Sequence, residues 1–266
     1  MIHPTAIIHP GAKIGEGVQI GPYAIIDAEV ELGANCQLGP HVYLTGRTTI
    51  GSGNKFHIGC VIGEAPQDLK YQGGPTRVVI GDNNVFREYA NAHGATKPED
   101  ATVIGSNCFI MGGVHIGHNV TIGNHVIMGN YSMVAGHGVI QDRAFLSGGS
   151  LVHQFCRVGT LALMQGGTAV SKDVPPYTVA HQVNEICGLN IIGLRRAGMG
   201  PEERLELKRL YRFIFRTSTP FRTALAEAQE QFHCPAAKTM LEFLATAKRP
   251  VCPHSTSRGQ SETDDE

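Results

Sequence analysis

Apolar residues recur at every sixth position along most of the first 164 residues of the chain. In most groups of six a small residue stands at the fifth place, two positions before the apolar residue that opens the next group. Side chains alternate between the two faces of a strand, so residues two apart point to the same side. Glycine and asparagine at other places favour a change of direction. Each group therefore predicts a short strand followed by a corner. The longest uninterrupted run opens its groups with Ile104, Ile110, Ile116, Ile122, Met128, Val134, Ile140, Leu146, Val152, Val158 and Met164.

Three such sides close a coil of about 18 residues, and successive coils stack as parallel strands roughly 4.8 Å apart. The sequence therefore predicts a mostly β protein with a parallel β-helix over residues 1–177. Spacing alone does not determine the hand of the coil. The pattern is interrupted at 63–79 and again, more briefly, at 93–103. The first interruption predicts a loop that projects from a rigid scaffold, where functional residues are often found.

The six-residue repeat does not continue into the C-terminal part of the chain. Successive prolines in the segment 171–177 end the strand ladder, because proline donates no hydrogen bond to it. Residues 178–200 have no clear period and are interpreted as a connecting segment. Apolar residues at three- and four-residue spacing after Pro201 predict a small α-helical domain over 201–248. The polar stretch 249–266 predicts a disordered tail.

Charge and composition exclude several classes of protein. The chain has 22 Lys and Arg against 23 Asp and Glu, a net charge of −1, which gives no electrostatic footprint for nucleic acid or an anionic membrane. No apolar run is long enough to cross a bilayer, and the repeat begins at Ile2, so a cytoplasmic protein without a membrane segment is expected. Of the seven cysteines, four occupy the small fifth place and are predicted to fill the core rather than bind metal: Cys36, Cys60, Cys108 and Cys156.

Histidines are unusual in their placement within the repeat. His115 and His118 both fall at outward places, and the residue one coil beyond His118 is Gly136. An imidazole would then lie one strand spacing from the Gly136–His137 segment, whose backbone N–H groups are potential donors to a substrate oxygen. This arrangement predicts a general base beside an oxyanion donor. The alternative is that Gly136 is simply a corner glycine.

A basic stripe follows the first predicted helix. Its residues are four apart and have no acidic residues interleaved at the same spacing. Such a stripe is either a solvated helix face or a docking surface for an acidic protein. It consists of Arg204, Lys208, Arg212 and Arg216.

Six further motifs accompany the repeat. They are QDLKY at 67–71, HIGH at 115–118, AGH at 135–137, VHQF at 152–155, KDVPPY at 172–177 and GLNIIGLRR at 188–196. With the hexads and the helical C-terminus, this ordered set closely resembles the acyl-carrier-protein-dependent UDP-N-acetylglucosamine O-acyltransferases that begin lipid A synthesis. The resemblance covers about residues 1–248.

The resemblance implies a left-handed β-helix in a homotrimer, with active sites between neighbouring copies. It implies transfer of an (R)-3-hydroxyacyl group from the carrier protein's phosphopantetheine thioester to the 3-hydroxyl of UDP-N-acetylglucosamine. The partners are then the acyl-carrier protein and the UDP-sugar. No cofactor or metal of the enzyme's own is implied, because the phosphopantetheine arrives on the carrier protein.

Individual residues acquire expected roles from the resemblance. His118 matches the catalytic base, and Gly136 matches the backbone donor to the oxyanion. Gly166 corresponds to a position that limits acyl-chain length. Our hypothesis for the basic stripe is docking of the carrier protein. The remaining substrate contacts are expected at Asp68, Lys70, His115, His137, His153, Gln154, Asn190 and Arg196.

The chain departs from the family pattern at three positions. Asn119 stands where an acidic residue often follows the catalytic histidine; its side-chain carbonyl remains able to orient the ring. Ile192 replaces an acidic residue of the nucleotide region, and Ala197 replaces an arginine. Acceptors with a 3-amino group therefore stay open. Three other interpretations stay open on separate grounds: an acetyl-CoA-dependent acyltransferase, a zinc carbonic anhydrase of the same fold, which thirteen histidines allow, and a non-enzymatic solenoid.

Overall fold

The computed structural model describes residues 1–255, and the strands in this range form three sheets that are the sides of one continuous coil. Along the uninterrupted coils, each strand pairs in parallel with the strands one coil before and one coil after. Ile25, for example, is in register with Ile7 and with Tyr43. This register confirms the predicted three-sided β-helix.

The strands of each sheet follow one another from coil to coil. The first sheet consists of Ile7–Ile8, Ile25–Ile26, Tyr43–Leu44, Val61–Glu64, Asn91–His93, His115–Ile116, Met133–Val134, Leu151–Val152 and Ala169–Val170. The second consists of Lys13–Ile14, Glu31–Leu32, Arg47–Ile50, Arg77–Ile80, Thr102–Ile104, Thr121–Ile122, Val139–Ile140 and Arg157–Val158. The third consists of Gln19–Ile20, Gln37–Leu38, Lys55–Phe56, Val85–Phe86, Phe109–Ile110, Ile127–Met128, Phe145–Leu146, Leu163–Met164, Thr178–His181 and Glu185–Leu189.

Three edges separate the sheets, and their names are used below. The first edge joins the first sheet to the second and includes residues 117–120 and 135–138. The second edge joins the second sheet to the third and includes residues 159–162. The third edge joins the third sheet to the first and includes residues 165–168.

The interior of the coil is filled by the apolar and small places of the repeat. Ile110, Ile116 and Val114 are fully buried, and the four predicted core cysteines are buried with them. Burial raises the pKa of the Cys60 thiol to about 12 and that of the Cys156 thiol to about 11. These thiols stay neutral at neutral pH, as expected of core residues rather than metal ligands.

Both interruptions of the repeat are loops at the first edge. The first loop spans 65–76, shorter than the predicted 63–79 because the flanking strands continue to Glu64 and resume at Arg77. The second loop spans 94–101. Each loop leaves the coil from the first sheet and re-enters it at the second, so both project beside the same edge.

The segment 178–200, interpreted from the sequence as a connecting segment without a clear period, contains regular structure. Thr178–His181 continues the third sheet in parallel, and Glu185–Leu189 pairs with it as an antiparallel hairpin. A hairpin returns through a short turn, so it shows no 18-residue period. The helices follow as α1 (Ile191–Arg196), α2 (Pro201–Phe215), α3 (Phe221–Gln231) and α4 (Pro235–Ala245).

Helices α2, α3 and α4 pack against one another around their own apolar core. Leu207, Leu210 and Ile214 are buried on one face of α2, as their spacing predicts, and Pro201 occupies the first turn. None of the helices within residues 1–255 has the length and apolarity required to traverse a bilayer.

A buried ion pair joins the β-helix to the helical domain. Asp173, which is 1% exposed, accepts from Arg157 Nε at 2.8 Å. The same guanidinium donates to the carbonyl oxygen of Phe243 in α4 at 2.9 Å and covers the Phe243 ring at 4.0 Å from its centroid. The Arg157 guanidinium is therefore paired with a carboxylate and also hydrogen-bonded to a backbone oxygen, as a charge removed from water requires.

The prediction of a disordered tail is wrong for residues 249–255. The Asp173 N–H donates to the carbonyl oxygen of Pro250 at 2.8 Å, and the Ser255 N–H donates to that of Ile186 at 2.8 Å. The segment thus adds backbone pairing to the end of the coil. Polar composition did not reveal this because backbone hydrogen bonds depend little on side-chain type. Residues 256–266, the rest of the predicted tail, lie outside the described residues.

Candidate functional site

The His118 ring lies directly over Gly136 of the next coil, at the first edge. A Cβ atom at position 136 would meet the ring, at 2.5 Å from Nε2 and also against Cε1. The glycine is therefore needed for the ring to occupy this place. His118 Nδ1 lies 3.0 Å from Asn119 Oδ1, so the side-chain carbonyl of Asn119 orients the ring and leaves Nε2 beside Gly136.

The backbone N–H of Gly136 is available to a ligand. His137 N–H donates to the carbonyl oxygen of His118 at 3.0 Å, whereas Gly136 N–H has no acceptor among residues 1–255. Gly136 occupies the third place of its hexad, where Pro22 and Pro40 stand in other coils. Proline has no N–H, so the fold does not require a hydrogen bond there. Of the two donors predicted from spacing, only that of Gly136 is uncommitted.

His137 packs beside the same ring and is held by aromatic contacts. Its ring stacks on Phe155 with centroids 4.6 Å apart and meets His118 edge-on at 5.3 Å. Burial lowers the pKa of His137, and the neighbouring charge of His118 lowers it further. At neutral pH His137 is therefore a neutral hydrogen-bonding group that presents no competing charge to His118.

His115 lies on the outer face of the first sheet, close to the same edge. Its Nδ1 donates to Asn91 Oδ1 at 2.7 Å, and burial, followed by the charges of His93 and His118, lowers its pKa. Sequence reasoning missed His93, which is 7% exposed and whose Nδ1 donates to the carbonyl oxygen of Ala65 at 2.6 Å. The bond ties the start of the 65–76 loop to the histidine cluster. The signal in the sequence was its position at the start of the second interruption.

An apolar groove of about 440 Å³ extends from His115 along the outer face of the first sheet. Register places Met133, Leu151 and Ala169 one above another beyond His115. His153 also lines the groove. The groove therefore offers a hydrocarbon surface that begins beside the imidazoles.

The 65–76 loop supplies charge to the same edge. Asp68 caps its own turn by accepting from the Lys70 N–H at 2.9 Å, and its charge counteracts part of the lowering of the His137 pKa. Lys70 and Gln154 are exposed there, and Gln154 accepts through its backbone oxygen from Arg249 at 3.3 Å.

Three of the predicted site residues lie elsewhere on the chain. Asn190 caps α1 by accepting from the Gly193 N–H at 3.0 Å, and its Nδ2 donates to the carbonyl oxygen of Leu161 at the second edge. Arg196 is exposed at the end of the same short helix. Gly166 lies at the third edge, where an added Cβ would meet only the Gly148 oxygen at 3.6 Å. One chain therefore does not bring the predicted nucleotide contacts to His118.

The basic stripe is partly engaged within the chain. Arg204 donates to the carbonyl oxygen of Met199, and Arg216 Nε lies 3.0 Å from His254 Nε2. Arg212 is exposed, and Lys208 is half-buried. Among residues 1–255 no group of three or more His, Cys, Asp or Glu side chains is arranged to hold a metal ion.

The sequence of this chain and its structure are both similar to those of known proteins of one family. Residues 173–252 match the profile described as UDP N-acetylglucosamine O-acyltransferase, domain 2, and residues 11–46 and 101–136 match the bacterial transferase hexapeptide profile. The acyl-[acyl-carrier-protein]–UDP-N-acetylglucosamine O-acyltransferase of Anaeromyxobacter sp. strain Fw109-5 is 43% identical, over 86% of this chain and 90% of the relative. That of Thiobacillus denitrificans is 42% identical, over 94% and 98%.

Solved structures of the same family superpose on this chain. The UDP-N-acetylglucosamine acyltransferase of Francisella novicida superposes with a TM-score of 0.92 at 37% identity, covering 96% of this chain and 95% of that one. The enzyme of Bacteroides fragilis 9343 superposes with a TM-score of 0.90 at 38% identity, covering 94% and 99%. The chain therefore belongs to the UDP-N-acetylglucosamine O-acyltransferase family.

Proposed function

We propose that this protein transfers an (R)-3-hydroxyacyl group from acyl-carrier protein to the 3-hydroxyl of UDP-N-acetylglucosamine, the first step of lipid A synthesis. The relatives named above are acyl-carrier-protein-dependent transferases of this sugar nucleotide. The observation that carries the proposal is the His118 imidazole over Gly136, beside an uncommitted backbone N–H. A base and an oxyanion donor one coil apart are the two groups that acyl transfer needs.

The reaction follows from these two groups. His118 Nε2 takes the proton of the sugar hydroxyl while its oxygen forms a bond to the thioester carbon. The Gly136 N–H donates to the resulting oxyanion. The carbon–sulfur bond then breaks, and the imidazolium returns its proton to the departing thiolate. The products are the acylated UDP-sugar and the free phosphopantetheine thiol.

The groove on the first sheet supports an acyl donor. Met133 and Leu151 are 43% and 45% exposed and lie in register, so they form a continuous apolar surface. A hydrocarbon chain whose thioester lies beside Gly136 would cover them. Gly166 lies at the far side of the same sheet, where an added Cβ would contact the Gly148 oxygen at 3.6 Å, and it is proposed to set how long that chain can be.

We propose further that the active site forms between copies in a homotrimer. Asn190 bonds to Leu161 at the second edge and Arg196 follows it at the end of α1, whereas His118 lies at the first edge. A second copy would bring the two sets together. A row of outward apolar residues on the third sheet supports self-association, since Ile127 and Phe145 each remain 37% exposed in one chain.

Co-expression of two inactive variants tests this arrangement. His118→Ala and Arg196→Ala are each expected to be nearly inactive alone. In mixed trimers, some interfaces would combine the intact His118 of one copy with the intact Arg196 of its neighbour. Random mixing predicts recovery of about a quarter of the wild-type rate, because two independent contributions must both be intact. Mixed assemblies without recovery would place both residues in one copy's site, contrary to the proposal.

A product assay tests the function itself. Purified protein is given UDP-N-acetylglucosamine with 3-hydroxyacyl-carrier proteins of several chain lengths, and in parallel with the matching acyl-CoAs and with acetyl-CoA. The 3-amino analogue of the sugar nucleotide is tested as a second acceptor. Turnover of UDP-N-acetylglucosamine is expected with acyl-carrier protein as donor and not with the CoA thioesters. Turnover only with a 3-amino acceptor would change the substrate, and turnover with CoA donors would contradict the proposed dependence on carrier protein.

The basic stripe on α2 is proposed to dock the acidic carrier protein. Exposed Arg212 is the member best placed to meet a partner, since Arg204 and Arg216 also bond within the chain. Rising ionic strength should then raise the apparent Michaelis constant for carrier protein more than that for the UDP-sugar, because salt screens exposed charge pairs.

A further inference from the structure

The side chain of Asn119 is held from two directions by the 94–101 loop. The Thr96 N–H donates to Asn119 Oδ1 at 3.1 Å, and the Thr96 hydroxyl lies 3.2 Å from the same atom. On the other side, Asn119 Nδ2 lies 3.2 Å from Asp100 Oδ2. Asn119 itself adopts a positive φ of 59°, which asparagine tolerates better than most residues.

These contacts determine which terminal atom of the Asn119 side chain is the oxygen and which is the nitrogen. A backbone N–H can only donate, so the atom facing Thr96 must be the oxygen. A carboxylate can only accept, so the atom facing Asp100 must be the nitrogen. Both neighbours thus require the same orientation of Asn119.

The orientation of Asn119 in turn determines the tautomer of His118. Because Nδ1 faces an oxygen at 3.0 Å, it must carry the proton and donate it. Nε2 then carries the lone pair, and Nε2 is the atom beside Gly136. The base is therefore in the protonation state that proton abstraction requires.

We propose that Asp100 is a positioning residue that acts on His118 through Asn119. It holds the amide, and so the Nδ1–H tautomer, and its negative charge, relayed through the polarised amide, favours the imidazolium that forms during the reaction. Its charge is felt in the same cluster, where it counteracts part of the lowering of the His137 pKa alongside Asp68. This inference rests on the proposed function, and it explains how a chain with asparagine after the histidine retains an acidic partner.

The kinetic test is a double-mutant cycle of Asp100 and Asn119. Asp100→Ala is expected to lower kcat roughly tenfold, the loss of one charge-assisted hydrogen bond, with the Michaelis constant for the UDP-sugar nearly unchanged. Asp100→Asn, which can still accept from the amide, should lose less. The matched control is Glu99→Gln, which removes a charge from the same loop at an exposed residue.

In the Asn119→Asp background, Asp100→Ala should no longer lower kcat. Two carboxylates would then face each other at about the separation of the present hydrogen bond, and like charges disfavour both being ionised. Asp100→Ala should therefore leave kcat unchanged or raise it there. An equal loss in both backgrounds, or a loss that appears in the Michaelis constant instead, would overturn the inference.

A spectroscopic readout separates this inference from the proposed function. In protein with ¹⁵N-labelled histidine, the His118 signals, identified by their disappearance in His118→Ala, should report the Nδ1–H tautomer. In Asp100→Ala, where Thr96 alone still orients the amide, a minor Nε2–H tautomer should become detectable. No change of tautomer would overturn the positioning role even if transfer is observed. Absence of transfer in wild-type protein would instead contradict the proposed function alone.

Discussion

Replacement of His118 by alanine is expected to lower kcat by roughly 10²–10⁴, the usual contribution of a general base. Its Nε2 lies beside Gly136, whereas burial and the charge of His118 lower the pKa of His137 and make that ring the weaker base. The Michaelis constant for the UDP-sugar should change much less, because proton transfer belongs to the transition state.

The measurement is steady-state transfer from acyl-carrier protein to UDP-N-acetylglucosamine, together with thermal unfolding of each variant. His9→Ala is the matched control, since His9 is an exposed histidine of an early coil. It should retain the wild-type rate. If His118→Ala retained more than about a tenth of wild-type kcat while folding normally, His118 would not be the general base.

Replacement of Gly136 by alanine is expected to lower kcat by roughly 10²–10⁴, because it displaces the general base, although the backbone N–H remains. The added Cβ would lie 2.5 Å from His118 Nε2, so the ring must turn away from the edge. The ring is the end of a movable side chain, so the thermal midpoint should fall little. Activity and stability are thus expected to separate.

Gly112→Ala is the matched control for this prediction. Gly112 occupies the same place of its hexad, at a corner where an added Cβ would meet nothing closer than 3.5 Å. Its activity and midpoint should both remain close to wild type. If Gly136→Ala retained wild-type kcat, the position of the His118 ring would not matter for the reaction.

Much of this protein follows from its sequence because the repeat is local. A period of six and a coil of three sides determine which residues face inward, and they place His118 over Gly136 by position alone. The core cysteines follow in the same way. The hand of the coil, by contrast, came from resemblance, because spacing is the same for either hand.

The contacts that depend on the tertiary structure alone lie where the six-residue repeat is interrupted or ends. The bonds of Asp100 and Thr96 to Asn119, and of His93 to Ala65, depend on how each loop returns to the coil. Residues 249–255 pair with the end of the coil through backbone groups that every residue has, so composition could not indicate it. The separation of His118 from Arg196 likewise depends on which edge the C-terminal hairpin and α1 follow, and no repeat encodes that path.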